Sequence, residues 1–512
     1  MKSKKTITLL VPAALFFLSG FSALVYQVAW QRILALQSGV GIYSITVIVA
    51  AFMAGIGIGS YFGGVGSHRV ETRQQSRIVF AIIELAIAGF AALSVYLYYD
   101  LMYDTFGNLY RSNLIIAVLH FLSLAVPTTL MGMSLPFLAR ATVTSVSSAS
   151  TEIGILYGIN IFGAATGAAV TPWLLIRYVG IDGAIYVGSV CNLFAGVGIF
   201  AFNAFQPAKA SMETEQCEDG TKRFDLPVSE STSHWPFGVW LVLYGISGFI
   251  ALALEILWFR VVDVAVKSTA YTFGTVLAVY LIGLGIGTLI GIALLRRVSA
   301  PHRAFLLCQV AVVVIASSAL TLATRLPTNF PMYQSYFHYW STYEPVNPLK
   351  TASIGSLMGL YIFQPAFLFL LPTMFMGMAF VFLQHAVQTD TRTVGRKLGL
   401  LQACNICGNV LGSITIGFFA LDFLGTAHCF RMCCYLGAIF PIIGIIAFRR
   451  KLLFAMCLLL VIGSASAIPD SKHFWQRFHG MASEDVSNAG FFAEDATSVV
   501  AVTPVTEKAE FE

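Results

Sequence analysis

The chain has 512 residues, of which 57% are apolar and 11% charged, with a formal net charge of +5. Average soluble domains carry about 25% charged residues, so the charges here are too few to cover a water-soluble globule of this size. The small positive excess falls mostly in short loops, where it reports membrane orientation, and no nucleic-acid partner is expected. Apolar runs of about 20 residues, each long enough to cross a bilayer, recur along most of the chain. The basic start, MKSKK, resembles the head of a signal peptide. The apolar stretch behind it is too long for one and recurs later, so it reads as the first span. Spans are expected near 7–30, 40–64, 78–99, 113–139, 153–176 and 183–204. A polar, charge-mixed linker then occupies about 205–235. Spans resume near 237–258, 269–295, 304–324, 354–386, 397–420 and 427–448, with a shorter thirteenth near 451–467. The expected domains are a six-helix half over 1–204, the linker, a second six-helix half over 236–448, the thirteenth span within 449–468, and a polar tail over 469–512.

The two halves are related in sequence. Ser19-Gly20-Phe21 recurs as Ser247-Gly248-Phe249, 228 positions on, and at the same offset Trp30, Arg32 and Tyr43 meet Trp258, Arg260 and Tyr271. Gly55, Gly57 and Gly59 meet Gly283, Gly285 and Gly287 in that register. PTTLMGM at 127–133 matches PTMFMGM at 372–378, an offset of 245 that also pairs Gly154, Asn160, Gly163 and Gly167 with Gly399, Asn405, Gly408 and Gly412. The difference of 17 residues fits a longer loop near 325–353. An even number of spans per half gives both halves the same topology. The expected fold is therefore an all-α polytopic membrane protein with two parallel six-helix repeats, the arrangement of major facilitator transporters, and a pathway between the halves. Lys2, Lys4, Lys5, Arg69, Arg73, Arg77 and Arg140 lie on one side of the membrane, with Arg296, Arg297, Arg303, Arg392, Arg396, Lys397, Arg449, Arg450 and Lys451. The positive-inside rule makes that side, the N-terminus and the linker cytoplasmic.

Ionisable residues inside spans are costly and are functional candidates by default. Glu84 in span three and Glu255 in span seven are the two such acids singled out. Glu255 pairs with Gln27 by the repeat, and Glu84 pairs approximately with Gln309, which suggests a shared inward face to which each half supplies one acid. Two readings are open: the carboxylates hold a cation or a transported proton, or they are structural, with Glu255 paired to Arg260 or Arg32. Asn160 and Asn405, in NIFG and NICG, suit hydrogen bonding between helices. His120 and Gln364 are further candidates for lining a pathway, and Asp263 with Lys267 reads as a solvated pair in an outer loop. The strings GIGIG (55–59) and GLGIG (283–287) lie in apolar helices with no strand before them, so they suit close packing over phosphate binding. CNIC (404–407) lacks a second ligand pair, and no metal site is expected. Cys308, Cys404, Cys407, Cys433 and Cys457 lie in apolar runs, where thiols act as small packing residues. Pro127 and Pro372 are candidate kinks in spans four and ten. Tyr333, Tyr336, Tyr339 and Trp340 suit an interfacial belt, or a lid for a cation.

The segments FFLSGFSALVYQVAWQRILAL and AAFMAGIGIGS resemble the membrane part of the bacterial membrane-bound spermidine synthase-like family, as do PTTLMGMSLPFLAR and ILYGINIFGAATGA. The resemblance covers about 8–448. In that family a major-facilitator-like region precedes an aminopropyltransferase domain, which transfers an aminopropyl group from decarboxylated S-adenosylmethionine to putrescine. AEDATSVVAVTPV (493–505) is similar to the opening strand of that domain. The glycine-rich loop and aspartates of the family's catalytic site have no counterpart after it, so the chain as written is expected to bind no cofactor and to make no spermidine. A spanning segment at 451–467 would bring the tail out on the external side. The resemblance and the intramembrane acids together imply a protein of a bacterial inner membrane, in contact with the lipid bilayer, that binds or moves a small cationic metabolite such as a polyamine. The expected site residues are Glu84, Glu255, Gln27, Gln309, Asn160 and Asn405. The alternative is a membrane half that anchors or feeds a separate aminopropyltransferase subunit, and a third possibility is a purely structural remnant.

Overall fold

The structure, a computed structural model, describes residues 2–38, 42–105, 113–205, 235–266, 271–326, 330, 358–479, 492–495 and 499–501. Among these, the first half comprises α1 (Lys2–Ser38), α2 (Ile42–Arg69), α3 (Arg73–Tyr96), α4 (Asn113–Thr142), α5 (Val146–Val170) and α6 (Ile176–Ala204). The second comprises α7 (Phe237–Ala265), α8 (Thr272–Leu294), α9 (Pro301–Arg325), α10 (Leu371–Val387), α11 (Val394–Ile414) and a last span built from α12 (Leu421–Leu436) and α13 (Ile439–Ala447). Then come α14 (Lys451–Ser466), α15 (Ser471–Phe478) and the antiparallel strands β1 (Phe492–Glu494) and β2 (Val499–Ala501). Short π-helical stretches extend α3, α5 and α11 and precede α10. The helices outrun the expected apolar segments because their polar ends continue the same backbone. Thr72, for example, starts α3 through a reciprocal cap with Gln75, which satisfies two amides that a helix start leaves free.

Two helical runs, Val146–Ala204 and Thr391–Ala447, are 59 and 57 residues long. At about 1.5 Å per residue each approaches 90 Å, far more than one crossing needs. Gly180 and Gly425 divide them, with φ of 77° and 70°. This left-handed backbone favours glycine, and it turns each run into two spans. The two glycines are 245 positions apart, the register that also pairs Asn160 with Asn405.

The repeat is visible as contact geometry. Asn160 donates from Nδ2 to the Phe16 carbonyl at 2.9 Å, and Asn405 donates to the Tyr244 carbonyl at 2.9 Å. Both bonds clip the fifth helix of a half to its first. A β-carbon on Gly59 would lie 1.9 Å from the Thr129 carbonyl oxygen, and one on Gly287 would lie 1.9 Å from that of Met374. The glycine strings therefore let α2 approach α4, and α8 approach α10, at backbone distance. Pro127 sits inside an uninterrupted α4, whereas Pro372 follows a π-helical stretch at the start of α10. Across the seam between halves, Gly64 of α2 faces Gly399 of α11, and Gly158 of α5 faces Thr288 of α8.

α14 buries Phe454, Cys457, Val461 and Ala465, a stripe at helical spacing. Its opposite face exposes Leu452, Met456, Leu459 and Leu460, as a lipid-facing helix does. Sixteen residues reach about 24 Å, and α15 then bends away by 70°. The described residues that follow, 471–479, 492–495 and 499–501, thus lie at the end of the bundle opposite the basic loops. There Phe474, Trp475 and Phe478 are buried, Arg477 donates to the Leu326 carbonyl, and Arg431 donates to that of Ile468.

Candidate functional site

Glu84 projects from α3 into the interior of the first half and is fully buried. Its Oε1 accepts from the hydroxyls of Ser19 on α1 at 2.8 Å and Ser134 on α4 at 3.0 Å, while Oε2 accepts from the Asn192 side-chain amide on α6. Asn192 in turn accepts from the Tyr26 hydroxyl at 2.9 Å. Four helices of one half thus converge on a single carboxyl, and the hydrogen bonds it receives come from neutral groups. This is how a buried charge or acid is retained in an apolar bundle.

Glu255 stands differently. It lines a small cavity of about 30 Å³ with Leu252, Ile256 and Phe259 of α7, Phe273 of α8, and Thr46 and Val49 of α2. The cavity therefore joins both halves, and it lies in the part of the seam away from the basic loops. The Glu255 carboxyl has no hydrogen-bond or ionic partner among the described residues. The hydroxyl of Thr46, whose side chain is 1% exposed, also has no hydrogen-bond partner among them. The rest of the lining is apolar, and two of its members carry aromatic rings, whose faces attract cations.

The expected ion pair between Glu255 and Arg260 does not form. Five residues apart on a helix, the two side chains point about 140° away from each other. Arg260 instead pairs with Glu494 of β1 at 3.4 Å and donates to the Asp495 carbonyl. Glu494 also accepts from the Thr426 amide at 2.8 Å and from the Thr426 hydroxyl, which caps the helix just past Gly425.

The six expected site residues are thus not gathered at one place. Glu255 is on the seam. Glu84 is inside the first half, Gln309 is buried on α9 and Gln27 is buried on α1. Asn160 and Asn405 serve helix pairing. His120 is fully buried on α4, and Gln364 is buried with neither side-chain amide atom hydrogen-bonded among the described residues. Lys267 and the aromatic set Tyr333, Tyr336, Tyr339 and Trp340 lie outside the described residues, as does most of the 205–235 linker. Sequence reasoning missed Thr46, an ordinary threonine at a helix end that has no repeat mate of like chemistry. Among the described residues no three His, Cys, Asp or Glu side chains come together as a metal site.

Contacts bridge the halves at both ends of the seam. At the basic end Arg140 donates to the Thr391 carbonyl at 2.9 Å, His68 Nδ1 lies 3.2 Å from the Arg392 carbonyl, and Ser150 meets His385 at 3.1 Å. At the opposite end Trp173 stacks on Tyr271 with ring centroids 4.3 Å apart, donates to Thr275 at 3.0 Å, and meets the edge of Tyr361.

No protein-family model and no curated protein sequence matches the chain. Solved structures do match. The chain is similar to the human organic anion transporter MFSD10 (TETRAN), with a TM-score of 0.53 and 11% identity over 89% of this chain and 99% of that one. It is also similar to the proton:xylose symporter XylE of the major facilitator superfamily, with a TM-score of 0.50 and 11% identity over 95% of this chain and 99% of that one. Identity this low speaks for the fold alone. The chain is a polytopic, all-α membrane protein with the major facilitator fold.

Proposed function

We propose that this protein is a secondary transporter of a small cationic metabolite, with Glu255 as the acid that meets the cargo or a coupling proton. The observation that carries the reading is the position of the Glu255 carboxyl: partnerless among the described residues, on the seam, and in an otherwise apolar cavity lined also by Thr46, whose hydroxyl is unsatisfied among them. In a two-half transporter the seam is where a site is exposed alternately to each side. Contacts at both ends of the seam fit a state closed to both sides. Glu84, enclosed by its own half, is assigned to holding that half together. A polyamine as cargo, a bacterial inner membrane and a cytoplasmic N-terminus follow from the sequence resemblance and the loop charges. The alternative, an anchor for a separate aminopropyltransferase, draws on the same resemblance.

The test is uptake of labelled putrescine and spermidine into right-side-out and inside-out vesicles. We expect uptake above empty vesicles, abolished in Glu255→Gln and retained in Glu84→Gln. Folded protein that moves neither amine in either orientation overturns the polyamine reading and promotes the anchoring role.

A further inference from the structure

At about 30 Å³, the cavity beside Glu255 has room for about two water-sized groups. Of the described residues that line it, Glu255 and Thr46 alone are polar. Thr46 belongs to the first half and Glu255 to the second, so the two polar groups come from opposite sides of the seam. The Thr46 side chain packs against Gly417, in the π-helical stretch Thr415–Ala420 that extends α11, where a β-carbon would overlap its hydroxyl. One wall is aromatic: the rings of Phe259 and Phe273 meet edge to face with centroids 6.0 Å apart. The lining thus supplies three side-chain oxygens, two on the carboxylate and one on the hydroxyl, inside an apolar shell. Water alone would leave a buried carboxylate there without a counter-charge.

We propose that this cavity holds a primary ammonium head on an unbranched chain, and that Thr46 is the residue that selects this head over methylated ammonium and guanidinium groups. This rests on the reading of Glu255 as the acid that meets the cargo. A primary ammonium carries three N–H donors, as many as the side-chain oxygens of the lining, and its charge balances the carboxylate. The nitrogen and the first methylene fill the two water-sized places, and the aromatic wall favours a cation. A guanidinium brings five donors in a fixed plane. After a two-point contact with the carboxylate and one with the hydroxyl, two of them stay buried without a partner, which is costly. A trimethylammonium has no N–H for the Thr46 oxygen, and its three methyl groups exceed the space. A branched carbon next to the nitrogen exceeds it too. A divalent metal ion wants about six oxygens, more than the side chains of the lining provide.

The test is saturation-transfer NMR on the full chain in lipid nanodiscs, titrated with n-butylammonium, tert-butylammonium, butyltrimethylammonium and butylguanidinium. We expect n-butylammonium to bind about tenfold or more tightly than the other three, and its binding to vanish in Glu255→Gln. Thr46→Val should weaken n-butylammonium by about tenfold, the worth of one hydrogen bond to a charged group, and leave butyltrimethylammonium where it was. Thr46→Ser, which restores the oxygen, should restore the preference. A merely structural role for Thr46 would lower all four alike. If Thr46→Val does not fold, Gly417→Ala, which displaces the same hydroxyl, should narrow the preference in its place. Equal binding of n-butylammonium and butyltrimethylammonium, both lost in Glu255→Gln, overturns the ammonium head and leaves Glu255 as the seam acid. Binding that Glu255→Gln does not change overturns the reading of Glu255 itself. Folded protein that binds none of the four overturns the site and leaves water as its occupant.

Discussion

Arg260 and Glu494 form an ion pair at 3.4 Å that ties α7 to β1, and both side chains are largely shielded from solvent. Removing one member of a buried pair leaves the other less well compensated, at a cost of up to about 3–5 kcal/mol, and Arg260 would keep its bond to the Asp495 carbonyl. Glu494→Ala should therefore lower the thermal midpoint in detergent, and adding Arg260→Met should recover much of the loss. An unchanged midpoint in Glu494→Ala would show that β1 does not hold α7.

The glycines of α2 and α8 set a second expectation. Gly59→Ala and Gly287→Ala place a carbon 1.9 Å from a backbone oxygen on the neighbouring helix. No side-chain movement relieves that overlap, so the helices must separate and lose packing. Both variants should give little monodisperse protein on size-exclusion chromatography. Gly89→Ala on α3 meets nothing within 4 Å and should match the parent or exceed it slightly, since alanine favours helix by about 1 kcal/mol over glycine. Equal yields from all three would refute backbone-distance packing.

Glu84 offers a graded test. Glu84→Gln keeps one acceptor oxygen, and the serine hydroxyls and the Asn192 amide can reorient around it. Glu84→Leu removes every acceptor and leaves the donors of Ser19, Ser134 and Asn192 buried without a partner, at about 1–3 kcal/mol for each group so stranded. The leucine variant should melt well below the glutamine variant, and adding Asn192→Leu should narrow the gap. Similar melting of the two single variants would mean that the hydrogen bonds to Glu84 contribute little.

Much of the fold was legible because apolar length and repeated glycines are direct consequences of crossing a bilayer and packing closely. The registers 228 and 245 already pair Gly20 with Gly248 and Asn160 with Asn405, and the structure turns each pair into the same contact. Gly180 and Gly425 obey the second register too. They went unnoticed because the surrounding residues do not match and the composition stays apolar on both sides. The site was less legible. A span boundary and a residue type say that an acid is buried, but not which way it faces, so Glu84 and Glu255 looked alike in sequence. The partner of Arg260 lay 234 positions away in a segment with no repeat mate, where no local pattern could point to it.

The tail also makes the two halves mechanically unequal. In the second half α7, α9 and α12 are bolted together at their far ends by Arg260–Glu494, by Arg477 on the Leu326 carbonyl and by Arg431 on that of Ile468. The twin bundle carries no such bolt among the described residues. In a transport cycle of the kind proposed above, rocking of the halves would be shared unevenly, with the clamped bundle serving as the fixed frame and the unclamped one as the arm that swings against it.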